Sequence, residues 1–261
     1  MKKAIIYFFY FAAIQVVVSG LCGVIFKFVI KGLSDNTSLL LIVSAVVSAA
    51  ITIALFLWKK YTLVSPKYIR TWPWIVFVFA VLASIGTIIP SELFQEQLPE
   101  LPNVVQEELA MIMKSPYGFF VVGLLAPFCE ELVFRGAILH SLLDWSKGRI
   151  GWLGNHWTMI LLSALLFAIM HFNPAQMPHA LLVGTLLGWM YYRTGSILPG
   201  VALHWANNSI AYVLCNVLPD PNAHLITLLG SQHNVIMAMI YSLLILLPSI
   251  YMLNKYMKRA C

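Results

Sequence analysis

Runs of about 20 mostly apolar residues, each long enough to cross the hydrocarbon core of a bilayer, recur along this chain from end to end. They fall at approximately 4–26, 38–58, 72–90, 117–143, 152–172, 178–193, 197–217 and 234–254. No other feature restricts the fold so strongly, because a backbone in lipid must satisfy its hydrogen bonds within each crossing segment. The expectation is an all-α, polytopic integral membrane protein of about eight transmembrane helices. Proline and glycine mark the joins: Pro90, Pro99 and Pro102 after the third run, Asn173-Pro174 and Pro178 after the fifth, Thr194-Gly195 and Pro199 after the sixth. The chain then divides into 1–116, three helices and an acidic connection; 117–217, a four-helix core; and 218–261, the last helix.

A soluble reading is excluded by charge, since 10% of the residues are charged against about 25% in soluble domains. The formal charge of +6 is scattered through short connections, which fits membrane topology and not a nucleic-acid surface. With the N-terminus inside, only Lys27, Lys31 and Lys114 of the sixteen basic residues fall outside. The others, Lys67 and Arg259 among them, lie on or toward the cytoplasmic side, where Lys and Arg are retained. Both termini are then cytoplasmic and the 91–116 connection is outside, with a short amphipathic helix expected around Val104 to Met113. Cys22, Cys129, Cys215 and Cys261 show no paired spacing and are read as packing residues. Lys2 and Lys3 before an apolar run imitate a signal peptide, but the run resumes past Leu21 and a retained first helix is expected.

The fourth run places Glu130, Glu131 and Arg135 near the middle of an apolar helix, where an ionised side chain costs about 3 kcal/mol on insertion scales. Glu131 and Arg135 are four apart, the acid nearer the N-terminus, and can neutralise each other on one face. Glu130 points about 100° away and lacks a sequence-local partner, which makes it the candidate general base. The fifth run ends in Phe167-x-x-x-His171 and the seventh holds His204-x-x-x-Asn208. Each pair shares a helix face. The bland readings are an ion pair locking two helices, a helix-end histidine and interhelical hydrogen bonding. The chemical reading has Glu130 and His171 activate water while His204 and Asn208 donate to the oxyanion formed on a peptide carbonyl. Trp72, Trp74, Trp152, Trp157 and Trp189 are read as interfacial or packing residues, and His140, His156, His179, His224 and His233 as interfacial.

Glu130-Glu131-x-x-x-Arg135, Phe167-x-x-x-His171 and His204-x-x-x-Asn208, in that order on three spans, resemble the three motifs of the CAAX protease and bacteriocin-processing family. That family includes the type II CAAX prenyl endopeptidase and bacterial membrane proteins once called abortive-infection proteins. The resemblance covers about 117–217. It implies a glutamate-type intramembrane endopeptidase with Glu130, His171, His204 and Asn208 as catalytic residues and Glu131, Arg135 and Phe167 as their support. The expected partners are the bilayer and a membrane-anchored or lipid-modified protein or peptide, with no nucleic acid; the expected location is a bacterial cytoplasmic membrane. No cofactor is expected. Zinc is the alternative, since a Glu, His, His set leaves a position for water, although the chain lacks a HExxH helix. Two rivals stand beside the protease: a non-catalytic membrane immunity or binding protein, and a transporter using Glu130 and the histidines as a proton relay. The spans also carry a conflict in depth. They place Glu130 near mid-membrane, His171 toward the outer end of its helix and His204 nearer the inner end, so breaks are expected at Asn173-Pro174 and Pro199.

Overall fold

The computed structural model describes residues 1–28, 36–62, 66–71, 73–220 and 223–258. The readings given to Lys31, Trp72, Arg259 and Cys261, and to the side chain of Lys67, lie outside the described residues. The described residues form helices and no strand. In chain order these are α1 (Lys2–Phe28), α2 (Thr37–Trp58), α3 (Trp74–Glu96), the short α4 (Gln106–Met113) and a continuous helical run over 118–146, here α5. They continue as α6 (His156–Ile169), α7 (Met177–Thr194), α8 (Leu198–Val217), the short α9 (Leu225–Leu229) and α10 (Gln232–Tyr256).

Four of them, α1, α2, α3 and α10, are long and apolar enough to cross a membrane. Their outward faces carry Phe9, Val16, Val78, Leu244 and Leu247, all exposed. Apolar side chains on the outside as well as the inside fit a helix whose solvent is lipid. Local sequence sets the ends: Asn36 caps α2 by accepting from the Leu39 N–H, Ser231 caps α10 through Asn234, and Gly195 ends α7 with a φ of 66°.

Two boundaries correct the sequence reading. The third run does not stop at Pro90, because α3 continues through it to Glu96. A proline removes one backbone donor and need not end a helix packed among neighbours in a membrane. The fifth run, expected over 152–172, is a helix of 14 residues, about 21 Å long, against a hydrocarbon core of about 30 Å. The chain breaks after it as expected, with Phe172 in a left-handed conformation and a 3₁₀ turn at Pro174–Gln176. Pro199 makes no break; it lies in the first turn of α8, where its missing N–H costs nothing.

The core sits around the second half of α5, where every side chain from Leu132 to Leu139 is buried. Helices α1, α2, α6 and α7 pack around that segment, and α8 lies along the first half. The connection after α3 is tied down by Asn173, fully buried, which donates to Asn103 Oδ1 at 2.9 Å and accepts from the Val104 N–H at 3.1 Å. That tie, with the Ala175 N–H donating to the Pro102 carbonyl at 3.3 Å, seats the 102–104 stretch against the turn between α6 and α7, while α4 packs against α2, α8 and the first half of α5.

Candidate active site

Helix α5 is not a plain α-helix. Its α-helical segment Ala126–Glu131 lies between two π-helical stretches, Phe119–Leu125 and Leu132–Leu139. Such wide turns concentrate at functional sites, and here the intervening segment carries both glutamates. In the first stretch the Ala126 N–H bonds the Val121 carbonyl, five residues back. The next donor in that pattern would be residue 127, a proline, so the Val122 carbonyl loses its partner. Asn208 supplies the replacement from α8, donating from Nδ2 to Val122 O at 3.0 Å. One turn earlier on α8, Trp205 Nε1 donates to Leu124 O at 2.7 Å. The irregular helix and the motif-bearing face of α8 are therefore fitted to each other through backbone carbonyls.

Glu131 and Arg135 are both fully buried, with Arg135 Nη1 at 2.8 Å from Glu131 Oε1. The guanidinium also donates from Nη2 to the Gly184 carbonyl at 3.0 Å and stands over the Phe167 ring at 4.4 Å from its centroid. Phe167 is a hub: Phe134, His171 and His204 each meet its ring nearly edge-on, at centroid separations of 5.2, 4.9 and 5.6 Å. The aromatic member of the second motif thus holds the histidines of the second and third motifs around one ring. Glycine 184 lets α7 approach, since a Cβ there would lie 3.0 Å from the Phe167 ring.

His204 is buried and bridges both glutamates, with Nδ1 at 3.3 Å from Glu131 Oε1 and Nε2 at 3.7 Å from Glu130 Oε2. A carboxylate paired with Arg135 can only accept, so it places a proton on Nδ1 and fixes the ring's orientation. Nε2 is left facing Glu130. The other oxygen of Glu131, Oε2, has no hydrogen-bond donor among the described residues and lies against the first turn of α8 at Gly200. A Cβ on Gly200 would stand 2.7 Å from it. Gly200→Ala is therefore expected to push the carboxylate off His204 and to cost about 1–3 kcal/mol of stability, the usual range for overpacking. Unfolding in detergent, with cleavage measured on the same preparation, checks this.

Glu130 keeps 23% of its side-chain surface exposed and stands, with His171 and Phe167, in the wall between two cavities. One, of about 520 Å³, is mostly apolar and runs between α1, α2 and α5, past Phe11, Val16 and Ala49. The other, of about 480 Å³, lies among α3, α5, α7 and α8 and adds His179, His204, Asn207 and Asn208. His171 Nδ1 lies 2.9 Å from the Phe167 carbonyl. That carbonyl can only accept, so the proton is on Nδ1 and Nε2 is the ring's acceptor. The conflict in depth resolves here. Helix α6 is short, and His171, just beyond its C-terminal end, lines the same cavities as Glu130.

Residues 113–210 match the family model described as Type II CAAX prenyl endopeptidase Rce1-like. This stretch is similar to that family. It contains every residue of the three motifs, and with them α5, α6, α7 and most of α8. No curated protein and no solved structure matches the chain.

Within the matched stretch the sequence reading gave no site role to two residues that line the 480 Å³ cavity. His179, taken as interfacial, lines the 480 Å³ cavity with Glu130 and is hydrogen-bonded through both ring nitrogens. Asn207, taken as a spacer inside the third motif, bonds both His179 and Asn208. The sixth run already placed His179 at a helix start, where Pro178 occupies the first turn of α7, but it gave no sign of which elements would face the ring. His140 is half-exposed beside Asp144, and His156 is stacked on Tyr192. For a metal, the donor set matters: among the described residues no three His, Cys, Asp or Glu side chains converge as a bound zinc requires.

Proposed function

We propose that this chain is an intramembrane endopeptidase that hydrolyses a peptide bond of a membrane-anchored or lipid-modified protein or peptide, with water activated by Glu130 and His171. The observation that carries this reading is the bridge made by His204, anchored through Nδ1 to the buried Glu131–Arg135 pair and presenting Nε2 3.7 Å from Glu130 at a cavity wall. The Rce1-like match over 113–210 supports the same chemistry. Water held between Glu130 and His171 Nε2 loses a proton to Glu130 as its oxygen attacks the carbonyl carbon. The developing oxyanion takes hydrogen bonds from Asn208 Nδ2 and from His204 Nε2, the latter when the ring carries both protons. Glu130 then returns its proton to the leaving amine as the C–N bond breaks, and the base is restored.

Eight spans in a bacterial cytoplasmic membrane, with both termini cytoplasmic, complete the proposal. Four helices meet the length and hydropathy of a span on their own. The run 118–146, α6, α7 and α8 supply the other four in this proposal, α6 being apolar but only 14 residues long. Purified protein in liposomes is expected to cleave membrane-anchored test peptides, and reporter fusions in the 91–116 connection are expected to read as extracytoplasmic. Cleavage is expected to persist after exhaustive chelation. Loss restorable by zinc would replace the metal-free mechanism with a metalloprotease, while absence of cleavage together with full cellular function of Glu130→Gln would leave a binding protein.

A further inference from the structure

The 480 Å³ cavity contains a second polar system, three of whose members the proposed chemistry does not use: Ser91 on α3, His179 on α7 and Asn207 on α8, which together lead to Asn208. Its hydrogen bonds have only one consistent direction. Ser91 Oγ donates its single proton to Ile88 O at 3.0 Å, so it accepts from His179 Nδ1 at 3.1 Å. With the proton on Nδ1, His179 Nε2 is an acceptor, and Asn207 Nδ2 donates to it at 3.3 Å. The second N–H of that amide goes to Asn208 Oδ1, also at 3.3 Å. The Asn208 oxygen is thereby occupied, and its amide nitrogen turns to Val122 O at 3.0 Å. Both ends of the chain rest on backbone carbonyls, one of them the carbonyl that Pro127 leaves without a donor.

An asparagine side chain presents an oxygen on one edge and an N–H₂ on the other, and the two differ little in shape. An oxyanion is stabilised by the N–H edge and repelled by the oxygen. Asn208 has one N–H committed to Val122, and its second has no partner among the described residues, on a side chain that lines the cavity with Glu130. We infer that His179 and Asn207 are positioning residues, which hold the Asn208 carboxamide in the one orientation that aims an N–H at the reacting carbonyl. Neither touches the reacting atoms. The inference rests on the protease reading above and names two residues, neither among the defining residues of the three motifs, on which its rate depends.

The experiment is steady-state cleavage of a membrane-anchored peptide by full-length protein in liposomes, for wild type, Glu130→Gln, His179→Leu, His179→Gln, Asn208→Ala and the His179→Leu/Asn208→Ala double variant. His179→Leu is expected to lower kcat by about tenfold with KM unchanged, the scale of a misaligned donor. Glutamine can accept from Asn207 and donate to Ser91, so His179→Gln is expected to recover most of that loss, which a general packing defect would not allow. In the Asn208→Ala background His179→Leu is expected to cost nothing further, because the group it orients is gone. If His179→Leu leaves kcat unchanged, or costs as much without Asn208 as with it, while Glu130→Gln is inactive, the positioning role fails and the protease reading stands. If Glu130→Gln cleaves like wild type, the protease reading falls and takes this inference with it.

Discussion

Glu130→Gln is expected to lower the rate of peptide cleavage by about 10³-fold, within the 10²–10⁴ that a positioned general base contributes. Substrate binding and the unfolding midpoint should barely move. Glutamine keeps the volume of the side chain and its place between the two cavities, but its amide cannot take a proton from water. The same substitution at Glu131 should read differently. Glu131 is fully buried and ion-paired, whereas Glu130 keeps 23% of its side chain exposed beside His171. Loss at Glu131 should therefore appear in both stability and activity, and loss at Glu130 in activity alone. Circular dichroism and thermal unfolding in detergent, run beside the cleavage assay, separate the two. A Glu130→Gln protein retaining more than about a tenth of wild-type rate would remove the base from the mechanism, since such a residue costs at least about 10²-fold when lost.

The contrast between adjacent glutamates was legible in the sequence, because an i,i+4 acid–base pair and a neighbour about 100° away follow from helical geometry alone. The apolar runs likewise located the long helices, since crossing lipid leaves the backbone little choice. What the sequence did not show is instructive. Hydropathy cannot register the wide turns flanking Ala126–Glu131, for they change which carbonyl each N–H meets and leave the apolar pattern alone. Hence nothing in the sequence foretold that Asn208 would spend one N–H on Val122. The ends of the fifth helix were misplaced for a related reason: the apolar run over 152–172 takes in most of a 3₁₀ turn at Gly151–Gly154 and residues beyond the helix end, so its length overstated the helix. His179 was missed because a lone histidine near a helix start has no local signature of burial. Only the approach of α3 and α8, bringing Ser91 and Asn207 to its two nitrogens, gives it a role.

Arg135→Met should be the most destabilising single change in the core, at about 3–5 kcal/mol, the cost of leaving one member of a buried ion pair uncompensated. The guanidinium meets Glu131, the Gly184 carbonyl and the Phe167 ring at once, so its loss strands a carboxylate and loosens the ring around which His171 and His204 are set. Methionine fills much of the stem's volume, which limits the cavity and isolates the charge effect. Glu131→Gln alone leaves the arginine without its carboxylate and should also destabilise. The double variant removes both charges, and buried pairs replaced together are often close to neutral; its unfolding midpoint should recover most of the loss, with a coupling of about 2–3 kcal/mol between the sites. Activity should not recover. In the double variant His204 Nδ1 faces an amide that can present either edge, so nothing fixes which ring nitrogen carries the proton opposite Glu130. Recovery of stability without recovery of cleavage would separate the two roles of the pair, holding the helices together and setting the protonation of His204. Recovery of both would reduce Glu131 and Arg135 to a structural lock and leave His204 oriented by Phe167 alone.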